Sequence, residues 1–220
     1  MALALFDLDN TLLAGDSEHA WGEFLIEIGA VDEETFRAEN DRLYEEYLAG
    51  TLDIYESIRF QLGPLMEHAP DTLRRWQEEF MRSCIEPMIT PAAEALVEKH
   101  RAAGDDLAII TASNSFVTRP IADRFGVRVL LAVELERACG RYTGRVLGTS
   151  TFQEGKVLRL QGWIKTKGLG LGGSHFYSDS HNDLPLLELV DHPVTVDPDP
   201  RLRAHAEAIG WPILSLHDAN

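Results

Sequence analysis

Cysteine is scarce: Cys84 and Cys139 are the only two in 220 residues, with no C-x-x-C pair. This excludes a disulfide framework, points to a reducing compartment, and makes both thiols expected small hydrophobes of the interior. Basic residues are also few, 20 Lys and Arg against 36 Asp and Glu, for a formal charge of −16. A field of that sign argues against nucleic acid and anionic membranes as partners. No apolar run approaches the ~20 residues that span a bilayer, and no basic segment precedes an apolar stretch with a cleavage site, so the expected location is cytoplasmic. The eight histidines contain no H-E-x-x-H pair, which disfavours a zinc site. Repeats and low-complexity tracts are absent. The remainder is ordinary globular composition, 45% hydrophobic, enough for one good core and a smaller lobe.

Against that background, four strand ends carry chemistry. The apolar run Ala2 to Phe6 leads into Asp7-Leu8-Asp9-Asn10-Thr11, two carboxylates spaced i, i+2. A strand that loosens into a loop at Asp7 can bring both acids onto one ligand at the carboxyl edge of an open α/β sheet. A hard cation such as Mg²⁺ suits the pair, one member of which would also serve as nucleophile or acid; a turn followed by a helix N-cap suits the same residues. Asp106 to Ile110 reads as a buried strand ending in Thr111-Ala112-Ser113-Asn114 before a helix that stops at Phe125-Gly126, so a hydroxyl stands beside new helix N–H groups. Thr111 is there as an anion contact or as an N-cap. Gly155-Lys156 opens the helical run Val157 to Trp163, where a lone cation is unfavourable without an anionic partner. Finally, the strand Ser174 to Ser178 runs into Asp179-Ser180-His181-Asn182-Asp183 and a helix from Leu184.

The pattern changes twice along the chain. From Ser17 to about Cys84 it is helical, with breaks at Gly29-Ala30-Val31-Asp32, Gly50-Thr51-Leu52-Asp53 and Gly63-Pro64. The acidic run Asp32-Glu33-Glu34 marks a helix start. Thr90-Pro91 then caps a helix ending near Gly104, and a βα rhythm resumes. A hairpin is expected over residues 138–146, and the last unit is Pro193 to Val196, a helix from Arg201 to Ile209, and Trp211 to Leu214.

The ordered set Asp7-Leu8-Asp9-Asn10-Thr11, Thr111, Lys156 and Asp179-Ser180-His181-Asn182-Asp183 resembles the four motifs of the haloacid dehalogenase superfamily of phosphohydrolases. The resemblance covers the whole chain, with an insert placed as in the subfamily that contains phosphoserine phosphatase. It implies an α/β fold, a Rossmann-like, mostly parallel sheet flanked by helices (residues 1–14 and 88–220) with a helical cap domain (15–87) after the first strand. It implies Mg²⁺ as cofactor and a small phosphorylated metabolite as substrate. Asp7 is the implied nucleophile and Asp9 the acid, then base; Asp7, Asp9 through its main-chain carbonyl, and Asp179 are the metal ligands. Thr111, Ala112 and Lys156 would hold the phosphate, with Asp183 and Asn182 behind them. The plainer alternatives are a solvated Lys156, Asp183 as a helix cap, and a solvated loop histidine at His181 in place of one facing substrate.

Phosphoserine phosphatases place a Glu nine residues after the nucleophile to meet the substrate ammonium, and Asp16 holds that place here. Their cap Arg, which grips the substrate carboxylate, aligns with Gln61 when Gly50-Thr51-Leu52 is matched to the turn before it. Gln cannot form the bidentate, charge-assisted pair that favours a carboxylate, and Arg59 is on another face of the same helix. A phosphorylated amino alcohol without a carboxylate is therefore expected. The bacterial histidinol-phosphate phosphatases of this subfamily resemble the stretch Leu5 to Ser17, Trp21-Gly22 and Gly140-Arg141-Tyr142-Thr143-Gly144. Their substrate has an amine and an imidazole and belongs to amino-acid biosynthesis. Glu18, Trp21, Tyr44 and Tyr47 would meet the imidazole or fill the cap interior. Another phosphatase of the subfamily, a phosphotransferase, or a phosphate-holding module without turnover would share these motifs.

Overall fold

The computed structural model describes residues 2–217. Its sheet has seven strands: β1 (Leu3–Phe6), β2 (Asp106–Asn114), β3 (Val129–Ala138), β4 (Arg141–Leu147), β5 (His175–Ser178), β6 (His192–Val196) and β7 (Ile213–Leu214), in the order β4-β3-β2-β1-β5-β6-β7. All neighbours run parallel except the β3–β4 hairpin. β1 lies at the centre with β2 and β5 beside it, and its four residues are buried. Their side chains alternate: Ala4 and Phe6 join one apolar cluster, Leu3 and Leu5 the other. Continuous burial on both faces is what makes Leu-Ala-Leu-Phe a central parallel strand.

Four helices follow β1: α1 (Ser17–Glu27), α2 (Glu33–Ala49), α3 (Ile54–Glu67) and α4 (Pro70–Phe80). Three begin at aspartates that accept a main-chain N–H of the first turn, Asp16 from His19 (2.8 Å), Asp32 from Thr35 (3.1 Å) and Asp53 from Tyr55 (2.9 Å). The expected break at Gly63-Pro64 is wrong, because α3 continues through it to Glu67. Gly63 has no Cβ to clash with the proline ring, and the buried face Ile58, Leu62 and Leu65 carries the helix onward. The insert shares its apolar cluster with the sheet. Trp21, 1% exposed, packs on Phe24, Phe80 and Phe116 at the junction, so it is interior and not a wall of the site.

The second half alternates α5 (Pro91–Ala103), α6 (Ser115–Arg124), α7 (Glu154–Lys167), α8 (Leu184–Leu187) and α9 (Pro200–Ile209) with the strands. Thr90 caps α5 through Ala93 N (3.1 Å), and Gly104 ends it at φ 77°. The cysteines depart from expectation: Cys139 is exposed at the hairpin tip and Cys84 only partly covered. A two-residue turn with φ 50° at Cys139 has no interior to offer it. Among the described residues, no helix is long and apolar enough to cross a membrane.

Candidate active site

The carboxyl ends of β1, β2 and β5 meet at the centre of the sheet, where open α/β sheets bind ligands. Past Phe6 the chain leaves the strand while Leu8, fully buried, anchors a turn by accepting Leu12 N and Leu13 N (both 3.0 Å). That turn separates the two acids. Asp7 faces Lys156, whose Nζ stands 2.7 Å from Asp7 Oδ1 and 2.7 Å from Asp183 Oδ2. Asp9 faces the other way: Oδ1 accepts Ser17 N (2.7 Å), and Oδ2 accepts the hydroxyls of Ser113 (2.7 Å) and Thr111 (3.2 Å).

Lys156 is 2% exposed, which removes the solvated-lysine reading. It reaches the site because Gly155 starts α7 tightly against the preceding loop: a Cβ there would lie 2.1 Å from Ser150 O. Asp183 also accepts the Ser178 hydroxyl (2.7 Å), and its side chain makes no helix-cap hydrogen bond, so the plain-cap alternative fails. Asp179 accepts the Thr11 hydroxyl (2.9 Å) and returns its own N–H to the same oxygen (3.0 Å), which ties the loop after β5 to the loop after β1. Thr111 is not an N-cap. β2 runs on to Asn114, which caps α6 by accepting Phe116 N and Val117 N (both 3.1 Å), while Thr111 Oγ1 accepts Ser113 N (3.1 Å). Ala112 lines the cavity between the two hydroxyls. His181 is not a free loop histidine and does not line the cavity: its Nδ1 lies 3.0 Å from Asp199 Oδ2.

Asp7 and Asp183 thus hold one ammonium between them, and Asp9 and Asp179 are buried in the same site. Burial pushes the Asp7 carboxyl up to about 7 against the pull of Lys156, and burial together with Asp7 raises Asp179 well above its ordinary value. Burial works against the Lys156 ammonium, yet Asp183 and Asp7 overcome it and hold its pKa above that of a free lysine. Among the described residues only Lys156 hydrogen-bonds the Asp7 carboxylate, so Oδ2 has no protein donor. Excess carboxylate in a low-dielectric site, all hard oxygen, fits a divalent cation such as Mg²⁺, with Asp7 and Asp179 as the acids that would hold it.

A cavity opens from these acids into the insert, lined by Asp16, Glu18, Tyr44, Tyr47, Ser57 and Gln61, with His19 and Asn40 at its side. No Arg or Lys lines it. Arg59 is exposed and borders a different surface depression beside Phe36, so it does not replace the missing cation. Glu18 Oε1 accepts Asn114 N (2.8 Å), and burial raises the Glu18 carboxyl to about 7. Asp16 is raised well above its ordinary value by burial and by Asp9. Gln61 is 6% exposed, and its Oε1 has no hydrogen-bond partner. Ser113, Ser178 and Thr11 are functional residues that sequence reasoning misses; their signal in the sequence is a hydroxyl two residues after Thr111, directly before Asp179, and two residues after Asp9.

Comparison with known proteins agrees with this geometry. Residues 4–188 match the model of the haloacid dehalogenase-like hydrolase family. The chain is 43% identical over 218 residues to a histidinol-phosphatase of Neisseria meningitidis serogroup C (strain 8013), covering 97% of this chain and 98% of that protein. It is 32% identical over 218 residues to a phosphoserine phosphatase of Mycobacterium tuberculosis (strain ATCC 25618 / H37Rv), covering 96% of this chain and 70% of that one. Among solved structures, a protein of unknown function from Bordetella pertussis Tohama I superposes with TM-score 0.92 at 49% identity over 98% of both chains. A substrate-bound phosphoserine phosphatase complex shares the fold, with TM-score 0.72 and 19% identity over 97% of this chain and 92% of that one. The order of motifs, the sheet and the family match lead to one statement: this chain belongs to the haloacid dehalogenase-like hydrolases.

Proposed function

We propose that this phosphatase hydrolyses L-histidinol phosphate through a phosphorylated Asp7. The observation that carries the substrate reading is the charge of the cavity: acids at Asp16 and Glu18, no Arg or Lys, and an unpartnered acceptor on Gln61. An ammonium offsets buried acids, and an imidazole N–H would satisfy Gln61 Oε1. A carboxylate, as in phosphoserine, would meet no cation there. The neisserial relative supports the same substrate through its own name.

Asp7 Oδ2 attacks phosphorus, and the bond to the leaving alkoxide breaks as Asp9 donates a proton to it. Asp9 then takes a proton from water as the water displaces Asp7 from phosphorus. The Ser113 and Thr111 hydroxyls and Ser17 N hold the Asp9 side chain in place for both half-reactions. Lys156 and the N–H of Ala112 offset charge on the phosphoryl oxygens, with the Lys156 ammonium fixed by Asp183. Asp7, Asp179 and the Asp9 carbonyl would hold Mg²⁺, which would supply the remaining positive charge.

Asp16→Asn tests the substrate reading cleanly, because Asn preserves the α1 cap while removing the charge. Loss of a charge-assisted contact, about 1.5–3 kcal/mol, is expected to raise KM for L-histidinol phosphate by roughly 10- to 150-fold. KM for p-nitrophenyl phosphate, which has no amine, should move by no more than about twofold on the same reasoning. Equal changes for both would remove Asp16 from substrate recognition.

A further inference from the structure

The carboxyl end of α2 lies on the loop that carries Asp179, and the contacts there come from the opposite side. Helix α2 closes at Gly50, where the N–H groups of Gly50 and Thr51 reach the Tyr47 and Glu46 carbonyls, and it has no basic residue of its own in the last turn. Arg201, at the start of α9, donates from Nη1 to Ala49 O (2.9 Å), and Asn182 Nδ2 donates to Tyr47 O (3.1 Å). Gly50, at φ 74°, fits so tightly over His181 that a Cβ would stand 2.6 Å from its Nε2. Tyr44 and Tyr47, both on α2, line the same cavity as Asp7 and Asp9.

The core side of this seam is stapled in turn. Asp199 Oδ2 accepts His181 N (2.5 Å) and Nδ1 (3.0 Å), Oδ1 accepts Arg201 N (2.8 Å), and Asp199 N donates to Asp179 O (2.8 Å). With its Nδ1 proton given to Asp199, His181 offers Nε2 as an acceptor 3.2 Å from Arg201 Nη1. Asn182 Oδ1 accepts Gln153 Nε2 (3.1 Å) at the start of α7, the helix that bears Lys156. Beneath the seam, Asp7 and Lys156 are each 2% exposed.

We propose that Arg201 is a positioning residue that pins the end of α2 over the phosphate site. The inference rests on the Asp7 site being the phosphate site, but its first test needs no substrate. Amide exchange over residues 46–51 is compared in wild type, Arg201→Ala and Gly50→Ala. The first variant removes the tie and the second wedges the seam apart. Gly104→Ala is the control, since Gly104 also ends a helix at φ 77° but has nothing within 4 Å of an added Cβ. Both seam variants should exchange about tenfold or more faster in that segment, without acceleration in β1 or β2, and Arg201→Lys should restore part of the protection. KM for a turned-over phosphate ester should rise about fivefold in Arg201→Ala with kcat within about twofold, since the closed complex is weakened while the reacting groups stay. Unchanged exchange in either seam variant, or equal acceleration of residues 46–51 in Gly104→Ala, overturns the proposal. Failure of L-histidinol phosphate as substrate leaves the exchange result standing.

Discussion

Asp7→Asn is expected to lower kcat for every phosphate ester by on the order of 10⁴-fold or more, because the variant removes the nucleophile and not merely a contact. The basis is local. Asp7 lies at the carboxyl end of the central strand, one oxygen is fixed by Lys156, and the other has no protein donor. Asn keeps the shape and can still accept from Lys156, so the thermal midpoint should move by only a few degrees, as suits a change of about 1 kcal/mol in a chain of this size. Measuring kcat with p-nitrophenyl phosphate separates this prediction from the choice of natural substrate. Turnover retained within tenfold would show that Asp7 does not attack phosphorus.

Lys156→Met should damage stability and activity together. The Lys156 ammonium is the one cation that Asp7 and Asp183 share, and all three side chains are at most 3% exposed. Its removal leaves two buried carboxylates uncompensated, a class of change that costs about 3–5 kcal/mol. In a chain of this length that corresponds to a fall in Tm of roughly 6–20 °C. Loss of a preorganised charge at the phosphoryl group adds a decrease in kcat on the order of 10²–10³-fold. Differential scanning calorimetry and steady-state assays on one preparation test both. An unchanged Tm would mean that the buried pair is worth no more than an exposed one, contrary to its geometry.

The parts of this molecule legible in its sequence are those set by neighbours along the chain. The acids at the ends of β1 and β5, the Thr90-Pro91 start of α5 and the hairpin around Gly140 depend on local propensity and short-range turn chemistry. What escaped depends on partners far away in sequence. Ser113 meets Asp9 across 104 residues, and Arg201 meets Ala49 across 152. Trp21, an apparent candidate for an aromatic substrate, is drawn into the interior by Phe80 and Phe116, which no window around Trp21 contains. Gly63-Pro64 reads as a break because the clash it usually signals is local, whereas the relief comes from the missing Cβ and from tertiary burial of Leu62 and Leu65. Around the fourth strand-end acid, Asp183, the sequence suits a cap and a lysine partner equally, and only the 2.7 Å contact with Lys156 Nζ distinguishes them.

The most direct test of the proposed function is phosphate release by the purified protein with Mg²⁺, comparing kcat/KM for L-histidinol phosphate and O-phospho-L-serine. A cavity with acids at Asp16 and Glu18 and no cation opposite them predicts a preference for L-histidinol phosphate of about 100-fold or more, the penalty for a carboxylate left without a charged partner. Equal or greater kcat/KM for O-phospho-L-serine would contradict that reading of the cavity.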